Sequence, residues 1–198
     1  MKSSLSLTVL CAVVLLALGA QAGTYSFSPT PVDLGDLDHN YWYTWGISGA
    51  IPFDEGIIEA VLFFDDINDW TNEAGDKLYI HLLDNPTVGV VQGLDYEGGG
   101  DKFAGQGKWI ATYTDTNSYT EDLSYTFSTL GLIDDLNSYA TNGVFGFGMD
   151  PDCHYNNKKI TFTITTEKAY VPEPSGLIAL ATGLVSLGGL VVRKKRAF

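Results

Sequence analysis

Residues 65–76 of this 198-residue chain read DDINDWTNEAGD and hold its densest group of oxygen donors. Carboxylate and amide oxygens are the ligands that calcium prefers. The spacing does not fit an EF-hand, because counting from Asp66 places Thr71 at the sixth position, where that loop requires glycine. Calcium bound in a loop between strands is one interpretation, and a solvated turn whose Asp and Asn side chains cap local backbone is the other.

A second acidic segment covers residues 150–158 and contains Cys153 beside His154. One His next to one Cys is weak evidence for zinc, and neighbouring side chains on an extended chain point in opposite directions, so they do not form a nucleophile–base pair. We hypothesise that the two acidic segments lie at the same end of the fold and share a calcium ion. The candidate ligands are Asp65, Asp66, Asn68, Asp69, Asp76, Asp150 and Asp152.

Two tryptophans are the candidate ligand-binding residues. Trp70 stands in the first acidic segment, and Trp42 belongs to an aromatic run over residues 41–45. A flat indole ring can stack on the apolar face of a sugar, although core packing explains one face of the strand over residues 41–45 equally well. A binding module predicts an exposed aromatic cluster beside an acidic loop, whereas a structural protein predicts dispersed aromatic residues.

No sequence feature indicates catalysis. The paired carboxylates Asp65/Asp66, Glu121/Asp122 and Asp134/Asp135 are sequence neighbours, whereas glycosidase carboxylates face each other across a bond. The chain also has no Gly-x-Ser-x-Gly, no His-Glu-x-x-His and no phosphate-binding loop. We therefore expect a non-catalytic protein.

Short strands must position these residues. Alternating or continuous apolar runs predict strands over residues 41–51, 57–64, 77–83, 88–94, 108–114, 124–128, 144–149 and 159–166, with an edge strand near Tyr25. Helical spacing of apolar residues predicts one helix over residues 129–140, capped by Ser128 or Thr129. The pattern favours a mainly β fold, an antiparallel β-sandwich that is jelly-roll-like and carries one short helix.

Charge and cysteine content limit the partners. The body, residues 23–170, contains 23 acidic and six basic residues, a formal net charge of −17. Such a surface repels nucleic acid, so nucleic-acid binding is excluded. Cys153 is the one cysteine in this body, so it has no partner for an internal disulfide, and we expect its thiol to be buried.

The N-terminus has the parts of a cleavable signal peptide. Lys2 supplies the positive charge, residues 5–18 form an apolar run, and Ala20 and Ala22 form the small-x-small cleavage site. Residues 1–22 therefore predict a signal helix, removed by signal peptidase during export.

The C-terminal segment, residues 171–198, has three ordered parts. Pro172, Glu173 and Pro174 precede an uncharged run over residues 175–192, and the tail 193–198 begins with a basic cluster of Arg193, Lys194, Lys195 and Arg196. A helix through the 18-residue run would be about 27 Å long, close to the roughly 30 Å hydrocarbon core of a bilayer. Positive charge after the run predicts a single transmembrane helix with the body outside the cytoplasm.

This order of parts resembles the PEP-CTERM sorting signal of Gram-negative bacteria. The resemblance implies recognition and removal by the membrane protease exosortase, in the envelope of a bacterium that produces exopolysaccharide. The precursor is then expected to span the inner membrane once, and the mature body to reach the cell surface or the extracellular matrix. The expected function is that of a non-catalytic surface or matrix protein associated with exopolysaccharide; a calcium-dependent carbohydrate-binding module is the alternative.

Overall fold

The computed structural model describes residues 23–49, 51–70, 76–96, 99–116 and 119–168. These residues form ten strands and two short helices, so the fold is mainly β. The strands are β1 (Gly23–Phe27), β2 (Tyr41–Ser48), β3 (Glu55–Asp69), β4 (Lys77–Asp84), β5 (Gly89–Leu94), β6 (Lys108–Thr114), β7 (Glu121–Thr126), β8 (Val144–Pro151), β9 (Tyr155–Asn156) and β10 (Lys159–Lys168). The helices are α1 (Phe127–Leu130) and α2 (Ile133–Thr141).

The strands form two antiparallel sheets. The first has the order β1-β10-β3-β7, with β9 paired to the end of β3, and the second has the order β5-β2-β8-β4-β6. One cluster of buried apolar residues takes side chains from both sheets. Two antiparallel sheets around a shared core are the arrangement of a β-sandwich, as the strand pattern predicted.

The core follows the two-residue period of the strands. On β10, Ile160, Phe162 and Ile164 are fully buried, while the threonines between them are half-buried. Phe147 on β8 meets Phe162 with ring centroids 4.8 Å apart in a T-shaped arrangement. The two sheets therefore contact each other through aromatic packing.

The first acidic segment differs from its prediction. Residues 65–69 are not loop but the last part of β3, where Asn68 pairs with Asn156 of β9. The strand continues past a β-bulge in which Asp66 has a φ of 51°, and beyond the bulge Ile67 and Asp69 are buried. The second acidic segment is likewise interrupted by β9.

The single predicted helix is two helices. Gly131 has a φ of 71°, a left-handed conformation that ends α1 after Leu130. Leu132 then donates its N–H to the Phe127 carbonyl and occupies the N-cap of α2. The predicted caps were wrong, because Thr126 is the N-cap of α1 and neither helix has a side-chain cap hydrogen bond.

Among the described residues, no helix is long and apolar enough to cross a membrane. The predicted signal peptide and the predicted transmembrane run lie outside the described residues.

Candidate functional site

A pocket of about 440 Å³ lies on the face of the second sheet that points away from the core. That volume falls within the range of small-molecule sites. The floor comes from β2 and β5, and two loops form the walls. The lining residues are Trp42, Thr44, Leu83, Asp84, Asn85, Pro86, Thr87, Val91, Lys102, Phe103, Gln106, Gly107 and Tyr139.

Glycines on β8 make room for both walls. The strand alternates core-facing aromatic residues with Gly146 and Gly148 on the outer face. A Cβ at Gly148 would lie 2.9 Å from the ring of Phe103, and one at Gly146 would lie 2.8 Å from Cγ of Pro86. The loops therefore rest directly on the sheet, and the space between them is the pocket.

Two aspartates at the end of β8 hold the wall formed by residues 99–107. Lys102 donates its backbone N–H to Oδ2 of Asp150 at 2.7 Å, and Gly100 donates to Oδ1 of Asp152 at 3.0 Å. Hydrogen bonds from backbone N–H groups to carboxylates are among the stronger ones in proteins. These side chains thus act as loop anchors.

A buried histidine fixes the same wall from β4. The side chain of His81 is nearly inaccessible, and its Nε2 lies 2.9 Å from Oδ2 of Asp101. Its Nδ1 lies 3.2 Å from the carbonyl oxygen of Gln106, and Oδ1 of Asp101 accepts the N–H of Phe103. Both ring nitrogens therefore bind the loop, so His81 orients the wall.

Trp42 provides the aromatic surface of the pocket. Its ring lies over Gly93 of the neighbouring strand, where a Cβ would be 2.1 Å from Cζ2. Phe103 meets the indole edge-to-face with ring centroids 6.2 Å apart. Trp42 is half-buried in this position, so its orientation is set by packing before any ligand arrives.

The polar lining suits hydrogen bonding. Among the described residues, Asp84 and Lys102 are the charged side chains of the lining, and Thr44, Asn85, Gln106 and Tyr139 add neutral donors and acceptors. Asp84 already accepts two hydrogen bonds from the Asn142 amide, at 2.9 and 3.2 Å. The pocket is therefore suited to a neutral polar ligand with an apolar face.

The carboxyl group of Asp150, which anchors the pocket wall, has a raised pKa. Burial raises the pKa of Asp150 to about 6, with smaller contributions from the negative charges of Asp95, Asp152 and Asp101; the hydrogen bond from Lys102 opposes this rise. Oδ1 of Asp150 is buried and has no hydrogen-bond partner. The wall is thus anchored by a carboxyl group whose ionisation at neutral pH is energetically unfavourable.

The predicted calcium ligands divide among separate places. Asp65 and Asp66 lie with Asp122, each offering an oxygen within 4.8 Å of the others, and the Lys158 ammonium pairs with Asp66. Asn68 lies on β3 opposite β9. As described above, Asp150 and Asp152 anchor the pocket wall.

The remaining two ligands, Asp69 and Asp76, meet Cys153 from the second acidic segment. Their ligand atoms lie within 4.8 Å of one another, so the two acidic segments do come together at one end of the sandwich. Cys153 is buried, as its sequence context predicted.

The two candidate tryptophans are not brought together. Trp70 follows β3 and is 54% exposed, and its ring lies beside that of His154, with centroids 4.9 Å apart. It does not line the pocket that contains Trp42. The expected cluster of these two rings beside an acidic loop is therefore absent from the described residues.

The predicted processing and sorting residues lie outside the described residues. These are Ala20, Ala22, Pro172, Glu173, Pro174, Arg193, Lys194, Lys195 and Arg196. The chain matches no protein-family model, and no curated protein matches it in sequence.

Sequence reasoning missed the loop that forms the pocket. Residues 98–107 contain five glycines, which predict irregular structure but not where it lies. The alternation of glycine and phenylalanine in residues 145–148 was the available signal, because glycine on one face of a strand indicates close approach of another backbone. His81 and Phe103 carried no signal of their own.

Proposed function

We propose that this chain is an exported, non-catalytic surface or matrix protein whose β-sandwich binds a neutral glycan in the pocket beside Trp42. The pocket carries this proposal, since an indole ring with neutral hydrogen-bonding groups around it is the chemistry that recognises a sugar. The formal charge of −17 on residues 23–170 favours a neutral ligand over an anionic one. Exopolysaccharide is the expected source of the glycan.

Absence of catalysis is inferred from the titratable groups of the pocket. Glycoside hydrolysis requires two carboxyl groups on opposite sides of the scissile bond, about 5–10 Å apart. Among the described lining residues, Asp84 is the single carboxylate. A binding role needs no second carboxylate.

The finer fold assignment is a jelly roll. Along the chain, β1, β3, β7 and β10 belong to one sheet, and β2, β4, β6 and β8 to the other. The long crossings between sheets that this order requires are typical of paired Greek keys. In this assignment β5 is an added edge strand, and its loop supplies one wall of the pocket.

Export and sorting rest on the sequence of the two termini. The signal peptide, the Pro172–Glu173–Pro174 triplet and the basic tail together support passage through the inner membrane and processing by exosortase. In this proposal the segment 175–192 is a temporary transmembrane helix, and the glycan-binding body is released or transferred to the cell surface.

Calcium dependence is a second candidate property, favoured by one observation. The carboxylates of Asp65, Asp66 and Asp122 converge near the surface, at a distance that an oxygen-ligated cation can bridge. Glycan binding measured in calcium and in a chelator distinguishes calcium-dependent binding from calcium-independent binding.

The decisive experiment is a glycan array probed with the purified full chain, followed by titration of each hit while tryptophan fluorescence is recorded. We expect binding to neutral oligosaccharides with a change in indole emission. Absence of binding across neutral and acidic glycans, with and without calcium, would refute the proposed ligand class.

A further inference from the structure

A buried group of potential metal ligands lies at the end of the sandwich where β3 ends and β4 begins. Asp69 is the last residue of β3, Asp76 directly precedes β4, and Cys153 follows β8 by two residues. Asp69 is 2% exposed and Cys153 5% exposed. The two carboxylates and the thiol are therefore gathered from three chain segments into one place, within 4.8 Å.

A second observation points to a ligand at this place. Tyr155 is fully buried, and its hydroxyl has no hydrogen-bond partner. Tyr155 is the cross-strand partner of Asp69, so its side chain lies on the same face of the sheet as the Asp69 carboxylate. A buried hydroxyl without a partner is unfavourable, and a bound ion or its water would satisfy it.

The ligand types select the cation. Two carboxylates and a thiolate that are ionised close together in a low-dielectric interior repel one another, and a bound cation relieves that repulsion. Thiolate is a poor ligand for calcium but a good one for zinc, which binds sulfur at about 2.3 Å and oxygen at about 2.0–2.2 Å.

The neighbouring carboxylate of Asp115 helps to hold Asp69 in position. Oδ2 of Asp115 accepts the backbone N–H of Asp69 at 2.9 Å, and Asp115 is itself buried. Contacts of this kind around the ligands fix their positions in metal sites.

We propose that Asp69, Asp76 and Cys153 bind one zinc ion, with the fourth position directed at the Tyr155 hydroxyl. The site is buried and distinct from the glycan pocket, so its role is structural. It joins the ends of β3 and β4 to the segment after β8 in a chain body that contains one cysteine and therefore no internal disulfide.

The test uses the full chain with Cys11→Ser, so that Cys153 is the only thiol. Elemental analysis is expected to give one zinc per chain, and removal with a chelator is expected to lower the melting temperature. Adding zinc, but not calcium, restores it. Cobalt in place of zinc is expected to give the near-ultraviolet thiolate-to-cobalt charge-transfer band.

Matched variants assign the ligands. Asp76→Asn and Cys153→Ala should abolish the melting shift with zinc, whereas Asp122→Asn, in the separate surface cluster, should retain it. Tyr155→Phe should fold without zinc and bind it several-fold more weakly. Because the cobalt spectrum needs no variant beyond Cys11→Ser, unfolding of a ligand variant does not weaken the test. The proposal would be overturned if the purified protein contained no metal and zinc did not change its melting temperature. Cobalt binding without the thiolate-to-cobalt charge-transfer band would also overturn it.

Discussion

The backbone N–H of Lys102 donates to Oδ2 of Asp150 at 2.7 Å, and this hydrogen bond attaches the pocket wall to β8. The two residues are 48 positions apart in the chain. The acceptor is a carboxyl group that is 1% exposed, so the geometry of the pocket depends on a group whose ionisation is unfavourable.

Stability should depend on pH through Asp150. Its pKa rises from an ordinary value of 3.8 to about 6 in the folded protein. The folded state therefore holds this proton more tightly than the unfolded state. The resulting stabilisation is fully present below about pH 4 and is lost as pH rises through 6. The upper bound is about 3 kcal/mol.

Asp150→Asn removes this charge and leaves an oxygen that can accept the Lys102 N–H. We expect its free energy of unfolding, measured by denaturant titration, to exceed that of the parent by roughly 1–3 kcal/mol at pH 8 and to approach it near pH 4. Asp152→Asn, which alters the other anchor of the same loop, is the control. An equal pH dependence in both variants would contradict the assignment to Asp150.

Gly148 does not line the pocket itself, but Gly148→Ala should disturb the pocket through Phe103, which does. The new Cβ would lie 2.9 Å from Phe103 ring atoms, so the ring and its loop must shift. We expect a loss of about 1–3 kcal/mol in unfolding free energy, together with weaker glycan binding. Gly56→Ala is the matched control in a strand, because a Cβ there meets nothing within 4 Å. Unchanged binding by Gly148→Ala would show that the Phe103 wall does not contact the ligand.

Trp42→Ala should weaken glycan binding at least tenfold, because it removes the aromatic surface of the pocket. Trp109→Ala, which removes a 59% exposed indole outside the pocket, should leave affinity unchanged. Trp70→Ala tests the other tryptophan that the sequence suggested. If titration calorimetry shows the loss in Trp70→Ala instead, the ligand binds near His154 and not in the pocket.

Replacing Pro172, Glu173 and Pro174 with alanine should block C-terminal processing and leave a membrane-bound precursor. The change removes the motif and keeps the apolar run and basic tail. Immunoblots of membrane and extracellular fractions measure the outcome, and alanine substitution of Glu167, Lys168 and Tyr170, just before the segment, is the control. Normal maturation of the triple variant would refute exosortase sorting.

Much of the fold could be predicted from local pattern. The apolar alternation over residues 159–166 predicted β10, because a strand half-buried in a sandwich must place every second side chain in the core. The same reasoning gave the limits of β6 within a residue. It failed at residues 65–69, where acidic composition suggested a loop, yet the strand continues past a bulge at Asp66 and pairs with β7 at Ile67 and with β9 at Asn68 and Asp69.

By itself, the sequence determined the mainly β class, the acidic surface, the burial of Cys153 and the terminal segments on which the export proposal rests. These properties follow from composition and from the order of residues within a single segment, so they can be read without knowing which segments meet. Only the tertiary structure decided that Trp42 lines a pocket, that Trp70 does not, and that Asp69 and Asp76 meet Cys153. Such neighbours come from segments tens of residues apart, and their meeting depends on how the two sheets are ordered and packed, which no local pattern specifies.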